Sequence, residues 1–562
     1  MLAKKMTHKP GRSSGRAAQL PRGTFGGSVS EWSLGMSHRV PLGHFAVAAF
    51  FALTVAEAHA EDVTLMTLDR SFSVTGELVK FDGTSFTINT AIGPVMVAAN
   101  MVICDGAGCP SAAPSASEFT IAGDRTLGLR LMPALLRDFG ARAGAKISTL
   151  EAGGSSVVLN LAGGEFTSDA KVRILPTASG DGLDALFRGD AQFALTDRAV
   201  RAREARAFSE FGMGELRDES QETILALDGL ILVTHPDNPV RAMTERDIAR
   251  VFAGEISNWS DLGGRDAPIV LYSRESGSGA MLAFETRVMQ PAGYSVSDGA
   301  IVFDTDESIS HAVLNDLNGI GFTGFAAVGQ AQALAIRGEC GLQLQPTAFS
   351  IKTEEYPLTR ILYMYQTSNA LPGRADEFRD YIDSDAAQQL VAAAGFVNQA
   401  VTVESINSQG LRLASAVLSN RDAAGLPLLV EMVALLATAD RLSTTYRFET
   451  GSARLNSRSQ SDIDRLARLL ATDRFANKEV FFIGFTDSVG DSELNRQLSE
   501  QRAEQVLAAI LAVDPTLVSN LRMRAVGYGE ISPLGCNESD TGRLINRRVE
   551  VWVRDIAEAG SR

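Results

Sequence analysis

Apolar and polar positions change period several times along the chain. Residues 61–110 alternate at period two, in "SFSVTGELVKFDG" and "SFTINTAIGPVMVAAN", with Asp82-Gly83 as a turn signal between the runs. This predicts a small β module. "PSAAPSASE", Pro110 to Glu118, is a linker by composition. From Phe119 to about Gln399 strand-like and helix-like segments alternate, which predicts a layered α/β domain. Within it "TILALDGLILVTHP" reads as a long apolar strand. "TERDIARVFAG" reads as a helix with Thr244 as N-cap, Asp247 in its first turn and Gly254 as its stop. Residues 400–440 read as a helical connector, with "AGLPLLVEMVALLATADRL" as the strongest apolar piece. From Ser443 to about Asp555 the pattern is strand, helix, strand, helix, strand, which predicts a small sandwich of helices on a sheet.

The start of the chain follows a different logic. Residues 1–35 are basic, rich in Gly and Ser, and without an apolar period. After them "MSHRVPLGHFAVAAFFALTVAEAHAED" has a charged start, about eleven apolar residues from Phe45 to Val55, and the small-x-small site Ala58-His59-Ala60. It reads as a secretory signal peptide cleaved before Glu61, with Met36 as an alternative start. The apolar run is short of the ~20 residues that a membrane span needs, and no later stretch is long enough to cross a bilayer.

At 562 residues the chain exceeds one ordinary core, so several domains are expected. A net charge of −15 argues against nucleic acid as a partner, because phosphate backbones are held by basic surfaces. A local anion pocket remains compatible with it. Cys104 and Cys109, in "CDGAGCP", suit a local disulfide in an oxidising compartment better than a metal site, since no second pair or His cluster lies nearby. Cys340 and Cys536 are far apart, and their pairing is not legible. No His-Glu-x-x-His metal pair and no Gly-x-Ser-x-Gly elbow in a hydrolase context supports an enzyme. The expectation is no catalytic residue, no metal and no cofactor.

The middle region carries one chemically pointed stretch, "IVLYSRESGSGAMLAFETRVM". A strand ends, "SRESGSGA" forms a loop, and a helix begins. Gly277 and Gly279 let the backbone approach a ligand, Ser278 offers a hydroxyl, and the first N–H groups of the helix favour an anion. Arg274 adds a bidentate donor fork. An ordinary Gly-Ser turn capping a helix is the plainer reading of the loop alone. Its neighbours, "EISNWSDLGGRDAPI", "AGDRTLGLRLMPALLRDF", "LFRGDAQFALTDRAV", "DGLILVTHPDNP", "GIGFTGF" and "YPLTRILYMY", together resemble the phosphate-binding periplasmic solute-binding proteins of ABC transporters over Phe119 to Gln399. The resemblance implies two α/β lobes joined by a hinge, with the ligand between them. It implies an oxyanion site at Arg274, Ser278 and Gly279, with the first-lobe loop "GDRT" contributing Arg125 and Thr126. Asp197 in "LTDRAV" resembles the family acid that accepts a hydrogen bond from protonated phosphate; its plainer reading is a helix N-cap. Arg198 beside it is a further candidate donor. Two positions depart from the family pattern. Ala280 replaces the usual Thr, and Asp124 replaces the usual Ser, so a carboxylate there repels an anion unless it turns away or accepts a proton from the ligand.

The C-terminal stretches "YRFETGSARL", "FIGFTDSVGDSELNRQLSEQRAEQV" and "AVGYGEISPLGCNESDTGRLINRRVEVWV" resemble the OmpA-like peptidoglycan-binding domain of Gram-negative envelopes, over about Thr445 to Arg554. A diaminopimelate-type stem peptide carries a free ammonium and a carboxylate on one residue, so its pocket needs an acid and a base at a fixed distance. The resemblance makes Asp487 and Arg502 the central ligand pair, with Thr486, Asn495, Leu498 and Arg547 around them. A structural Asp–Arg pair is the alternative, and Arg547-Arg548 could instead pair with acids at the sheet end.

The expected fold class is α/β multidomain: a small N-terminal β module, a two-lobed periplasmic-binding-protein fold (class II type) and an OmpA-like α/β sandwich. The expected boundaries are 1–60 for the leader, 61–110, 117–400 for the solute-binding domain, 401–442 for the connector and 443–556. The expected protein is non-enzymatic, lies in the periplasm of a Gram-negative bacterium attached to the cell wall, with outer-membrane association as a further expectation, and holds a small oxyanion, phosphate first. Its expected partners are peptidoglycan and other envelope proteins, with no nucleic acid. The competing class is a structural or scaffolding envelope protein whose solute-binding fold binds a protein partner or no ligand.

Overall fold

A computed structural model describes residues 62–556, apart from 68–71, 82–84, 92, 99–100, 107, 110–116, 152–155, 166–169, 373, 420–424 and 449–456. The expected signal peptide, the Asp82-Gly83 turn and most of the linker lie outside the described residues. The first strands, Asp62–Thr67, Ser73–Phe81, Ser85–Thr90, Gly93–Ala98 and Val102–Asp105, form one antiparallel sheet. Their period-two pattern sends Val63, Leu65, Phe86 and Ile88 into one small core. Cys104 and Cys109 are disulfide-bonded beside it.

The middle of the chain builds two lobes on one sheet. The long apolar strand is Glu222–Thr234, buried at nearly every position because both faces are covered. Its first part, Glu222 to Gly229, pairs with Thr359–Tyr365 in the first lobe. Its last part, Leu230 to Thr234, pairs with Gly319–Gly324 in the second. The first lobe continues outward through Phe193–Thr196, Ser117–Asp124 and Ala170–Thr177, and the second through Val270–Arg274 and Ile301–Phe303. Each lobe has its own core, one around Phe119, Leu135, Phe193 and Phe378, the other around Phe252, Trp259, Phe284 and Phe322. The chain passes between lobes on adjacent antiparallel strands, and Asp228 and Arg360 are register partners at that crossing. The helix expected after Thr244 runs Glu245–Phe252, with the Thr244 hydroxyl accepting from the Asp247 N–H.

The last module is a five-stranded sheet in the order Val403–Ser405, Asp440–Arg447, Arg548–Asp555, Lys478–Phe485, Arg522–Gly527. Helices Ser457–Leu470 and Ser492–Val513 cover one face through Ile463, Leu466, Val506 and Ile510. The region expected to be a connector does more than connect. Val403–Ser405 adds an edge strand, and helix Leu426–Leu436 packs Leu429, Met432 and Leu436 on the opposite face, against Phe481, Ile483, Phe485 and Trp552. That second layer explains why "EVFFIGF" is apolar at consecutive positions rather than alternating.

The solute-binding domain and this sheet module are joined covalently. Cys340 and Cys536, 196 residues apart, form a disulfide. Arg441 pairs with Glu355 and Arg458 with Glu354 across the same interface. Inside the module Glu550 accepts from Arg412 and Arg548, each at 2.6 Å. Burial pushes the Glu550 carboxyl up, but the surrounding guanidiniums outweigh it and hold the group well below the usual range. Arg548 is therefore a fold residue, paired with a sheet acid as the second reading of the doubled Arg had it.

Candidate functional site

The loop "SRESGSGA" sits at the seam between the lobes. Strand Val270–Arg274 delivers Arg274, and Ser278 caps the helix Gly279–Phe284, its hydroxyl accepting from the Met281 N–H at 3.2 Å and donating to the Glu275 carbonyl. The seam is tight. A Cβ added to Gly279 would lie 1.7 Å from an Asp197 carboxylate oxygen, so residue 279 tolerates no side chain here. Asp197 comes from the other lobe and is buried. It is not a helix N-cap: the next helix, Ala202–Glu210, is capped at Arg201. Asp197 instead accepts from the Ser179 hydroxyl at 2.7 Å and from Arg360 Nη1 at 2.8 Å.

Arg360 is the centre of this seam and was not among the expected site residues. Its Nε and Nη2 donate to Asp228 at 2.9 and 2.6 Å, and Nη2 lies 3.7 Å from Asp306. Asp306 in turn pairs with Arg274, whose Nη2 donates to the Asp304 carbonyl at 2.9 Å. The buried Arg274 Nε has no hydrogen-bond acceptor among the described residues. One guanidinium thus holds acids from the first lobe, the crossing strand and the second lobe together. Burial pulls its pKa down, but Asp228, Asp197, Asp306 and Asp124 raise it above the ordinary value. Two signals for these residues exist in the sequence: Asp228 is the one acid inside "ILALDGLILV", and Arg360 the one base inside "TRILYMY".

The first-lobe loop contributes less directly. Arg125 and Thr126 stand in the first helical turn after Ser117–Asp124, both half-buried, and the Thr126 hydroxyl makes no capping bond. Asp124 takes the cap role, its Oδ1 accepting from the Leu127 N–H at 2.9 Å. Burial, followed by the Asp197 charge, pushes the Asp124 carboxyl up to about 7. Arg198 is not an available anion donor: Glu204 holds it in a bidentate pair at 2.8 Å on both oxygens.

A second constellation lies in the last module. Strand Lys478–Phe485 ends next to Thr486 and Asp487, and helix Ser492–Val513 begins next to them, capped by Asp491. Asp487, Arg502, Thr486, Asn495 and Arg547 are all buried together there, with Leu498 half-buried on the same helix. The ion pair at Asp487 is made by Arg547 Nη1 at 2.7 Å, and its other oxygen accepts from the Val489 N–H at 3.0 Å. Arg502 lies with its guanidinium 5.1 Å from the Phe448 ring centroid. Burial first, then the Arg547 charge, lowers its pKa to about 10, with Asp487 acting in the opposite direction. Asn495 braces the turn, donating to the Asp487 and Val489 carbonyls at 3.3 Å and to Glu530 at 2.9 Å. The Thr486 hydroxyl is buried without a hydrogen-bond partner among the described residues. Much of the "YRFETGSARL" stretch, residues 449–455, lies outside them.

Two lobes hinged on paired crossing strands, followed by a helix-layered sheet with a buried Asp–Arg site, define a solute-binding architecture joined to an OmpA-like sandwich. Comparison with known proteins places both parts. Residues 110–386 match the PBP superfamily domain, and residues 447–547 match the OmpA family. The middle domain is thus similar to the PBP superfamily domain, and the C-terminal domain to the OmpA family. The phosphate-binding protein PstS of Bacillus subtilis (strain 168) is 26% identical over 236 residues, 42% of this chain and 73% of that protein. Outer membrane porin F of Pseudomonas fluorescens is 35% identical over 123 residues, 22% of this chain and 36% of that protein. The crystal structure of an ABC-type phosphate transport receptor from Vibrio cholerae is similar to 50% of this chain and 99% of its own, at 23% identity and a TM-score of 0.38.

Proposed function

We propose that this is a non-enzymatic envelope protein that binds phosphate at the seam between its lobes and is held at peptidoglycan by its C-terminal domain. The observation that carries the phosphate reading is the charge count at the seam. Four carboxylates, Asp124, Asp197, Asp228 and Asp306, face two guanidiniums, Arg274 and Arg360. Such a site does not suit a bare anion. It suits an oxyanion that brings its own protons, donating to Asp197 while accepting from Arg274, Arg360, the protonated Asp124 carboxyl and the N–H groups at the start of helix Gly279–Phe284. Phosphate is protonated at neutral pH and sulfate is not. Binding requires the lobes to part, because Asp197 already lies against Gly279.

The wall reading rests on Asp487, Arg502 and Arg547, an acid between two bases. Asp487 takes an ammonium and Arg502 a carboxylate, the two groups that diaminopimelate presents on one residue. Periplasmic export in a Gram-negative cell, through the expected leader, brings both ligands within reach.

Asp124 gives the phosphate reading a pH signature. A carboxyl titrating near 7 is mostly protonated at pH 6, where it is a neutral donor, and mostly charged at pH 8, where it repels the ligand. Calorimetric titration of the mature chain is expected to show phosphate binding without sulfate binding, with affinity falling about tenfold from pH 6 to pH 8 through this group. Asp124→Asn is expected to flatten that slope, leaving only the part due to phosphate's own titration. No heat with phosphate at either pH contradicts the reading, and an unchanged slope in the variant contradicts the role of Asp124.

A further inference from the structure

The seam and the Asp487 site do not account for the space between the two domains. Two cavities of about 470 and 500 Å³ lie there, the first bounded by Cys536 of the Cys340–Cys536 bridge, and both are lined by Glu245, Arg287, Pro291, Pro357, Thr541 and Ile545. The larger is also lined by Arg447 and Phe448. Phe448 is the residue whose ring packs on Arg502 and whose carbonyl accepts from Arg547 Nε at 3.1 Å. The crevice therefore begins where the Asp487 site ends.

In the larger cavity the charges are not matched internally; the other adds Arg246, Arg337, Glu339 and Glu538. Arg287, from the solute-binding domain, donates to the Thr359 carbonyl, and Arg447, from the sheet module, donates to the Ile545 and Thr353 carbonyls. Neither has a carboxylate within ion-pair distance among the described residues, and Glu245 has no base within that distance. Glu354 also lines the wall, but Arg458 already pairs with it. Burial lowers the pKa of both Arg287 and Arg447, and burial alone raises that of Glu245. Two guanidiniums and a carboxylate beside Pro291, Pro357, Leu544 and Ile545 complement a short peptide bearing charges of both signs, rather than a bare ion.

Resting on the peptidoglycan reading above, we propose that this crevice binds the carboxylate-bearing part of the stem peptide beyond the residue held at Asp487. The solute-binding domain, through Arg287, thereby completes the wall-binding site. The disulfide holds the two halves of that composite site together.

The test is calorimetry on the mature, oxidised chain with two probes: free meso-diaminopimelate and a soluble disaccharide-tetrapeptide released from peptidoglycan. Arg287→Gln is expected to weaken the tetrapeptide probe about tenfold, as for loss of a charge-assisted hydrogen bond, and to leave diaminopimelate unchanged. Thr541→Trp, at the exposed rim shared by both cavities, is expected to do the same by obstruction without removing a charge. Unchanged tetrapeptide affinity in both variants overturns the inference. An equal loss for both probes also overturns it, because that marks damage to the Asp487 site instead. A second phosphate site in the wild type that Arg287→Gln removes would assign the crevice to a free oxyanion and overturn the peptide assignment. If the wild type binds neither probe, the peptidoglycan reading itself falls and takes the inference with it.

Discussion

Asp487→Ala is expected to lower the affinity of the full mature chain for purified peptidoglycan by about 30-fold or more, and Arg502→Ala to do likewise. The first change removes the acceptor that Arg547 holds at 2.7 Å and leaves two neighbouring buried guanidiniums without it. Truncating one member of a buried, hydrogen-bonded charge pair at a binding site costs about 2–5 kcal/mol, which is roughly 30- to several-thousand-fold in affinity. The second removes the planar fork that stacks on Phe448. Arg502→Lys is expected to recover little, since an ammonium keeps the charge but neither the fork nor the stacking. Co-sedimentation with sacculi measures the effect, and phosphate titration of the same samples shows that the middle domain is intact. Wild-type sedimentation of both alanine variants would contradict the pocket.

Arg360→Ala is expected to be the most damaging single change in the solute-binding domain. Arg360 is buried and is the shared partner of Asp197 and Asp228, with Asp306 alongside. Removing one partner of a buried ion pair destabilises by about 3–5 kcal/mol, because the remaining charge is left uncompensated. Here more than one carboxylate is left. The sign of the pH dependence follows. Burial already raises the Asp228 pKa and puts Asp124 near 7, with Arg360 opposing both shifts. Without Arg360 these acids titrate higher still, so the deficit is largest at pH 8 and shrinks toward pH 5 as they protonate. Urea unfolding of the middle domain at the two pH values checks this, and phosphate binding is expected to vanish in the same variant. A wild-type unfolding midpoint at pH 8 would show that Arg360 does not hold the seam.

The periodicity of the chain made the elements legible, because burial on one or two faces leaves its mark on neighbouring residues. "TILALDGLILV" is a strand buried on both sides, and "SFTINT" a strand buried on one. What layers those strands is not local. Nothing within 401–442 says that Leu429 and Met432 cover the far face of a sheet whose strands lie downstream. Partner choice is likewise non-local: Asp228 meets Arg360 across 132 residues, Asp487 meets Arg547 across 60, and Cys340 meets Cys536 across 196. Motif resemblance supplied Arg274, Ser278, Gly279 and Asp197, yet not the residue that organises them. Arg360 lies inside the quoted stretch "YPLTRILYMY", the one charge in an otherwise apolar strand. A charged residue in a fully buried strand must find a partner, so both lone charges of the crossing strands signalled a pair before the topology showed which one.

The interface between the domains bears on how the protein works at the wall. A covalent bridge, with Arg441–Glu355 and Arg458–Glu354 beside it, ties the second lobe to the sheet module. The first lobe touches the module more lightly, through Asp383, 4.0 Å from Arg465.

The central claim is that one chain holds phosphate while it is held at peptidoglycan. Purified sacculi loaded with the mature protein, washed, and equilibrated with labelled phosphate test it directly. The expected result is one phosphate retained per bound chain, displaced by excess unlabelled phosphate and not by sulfate, and absent from sacculi incubated with Asp487→Ala. Sacculi that carry the wild-type protein but retain no phosphate would contradict it.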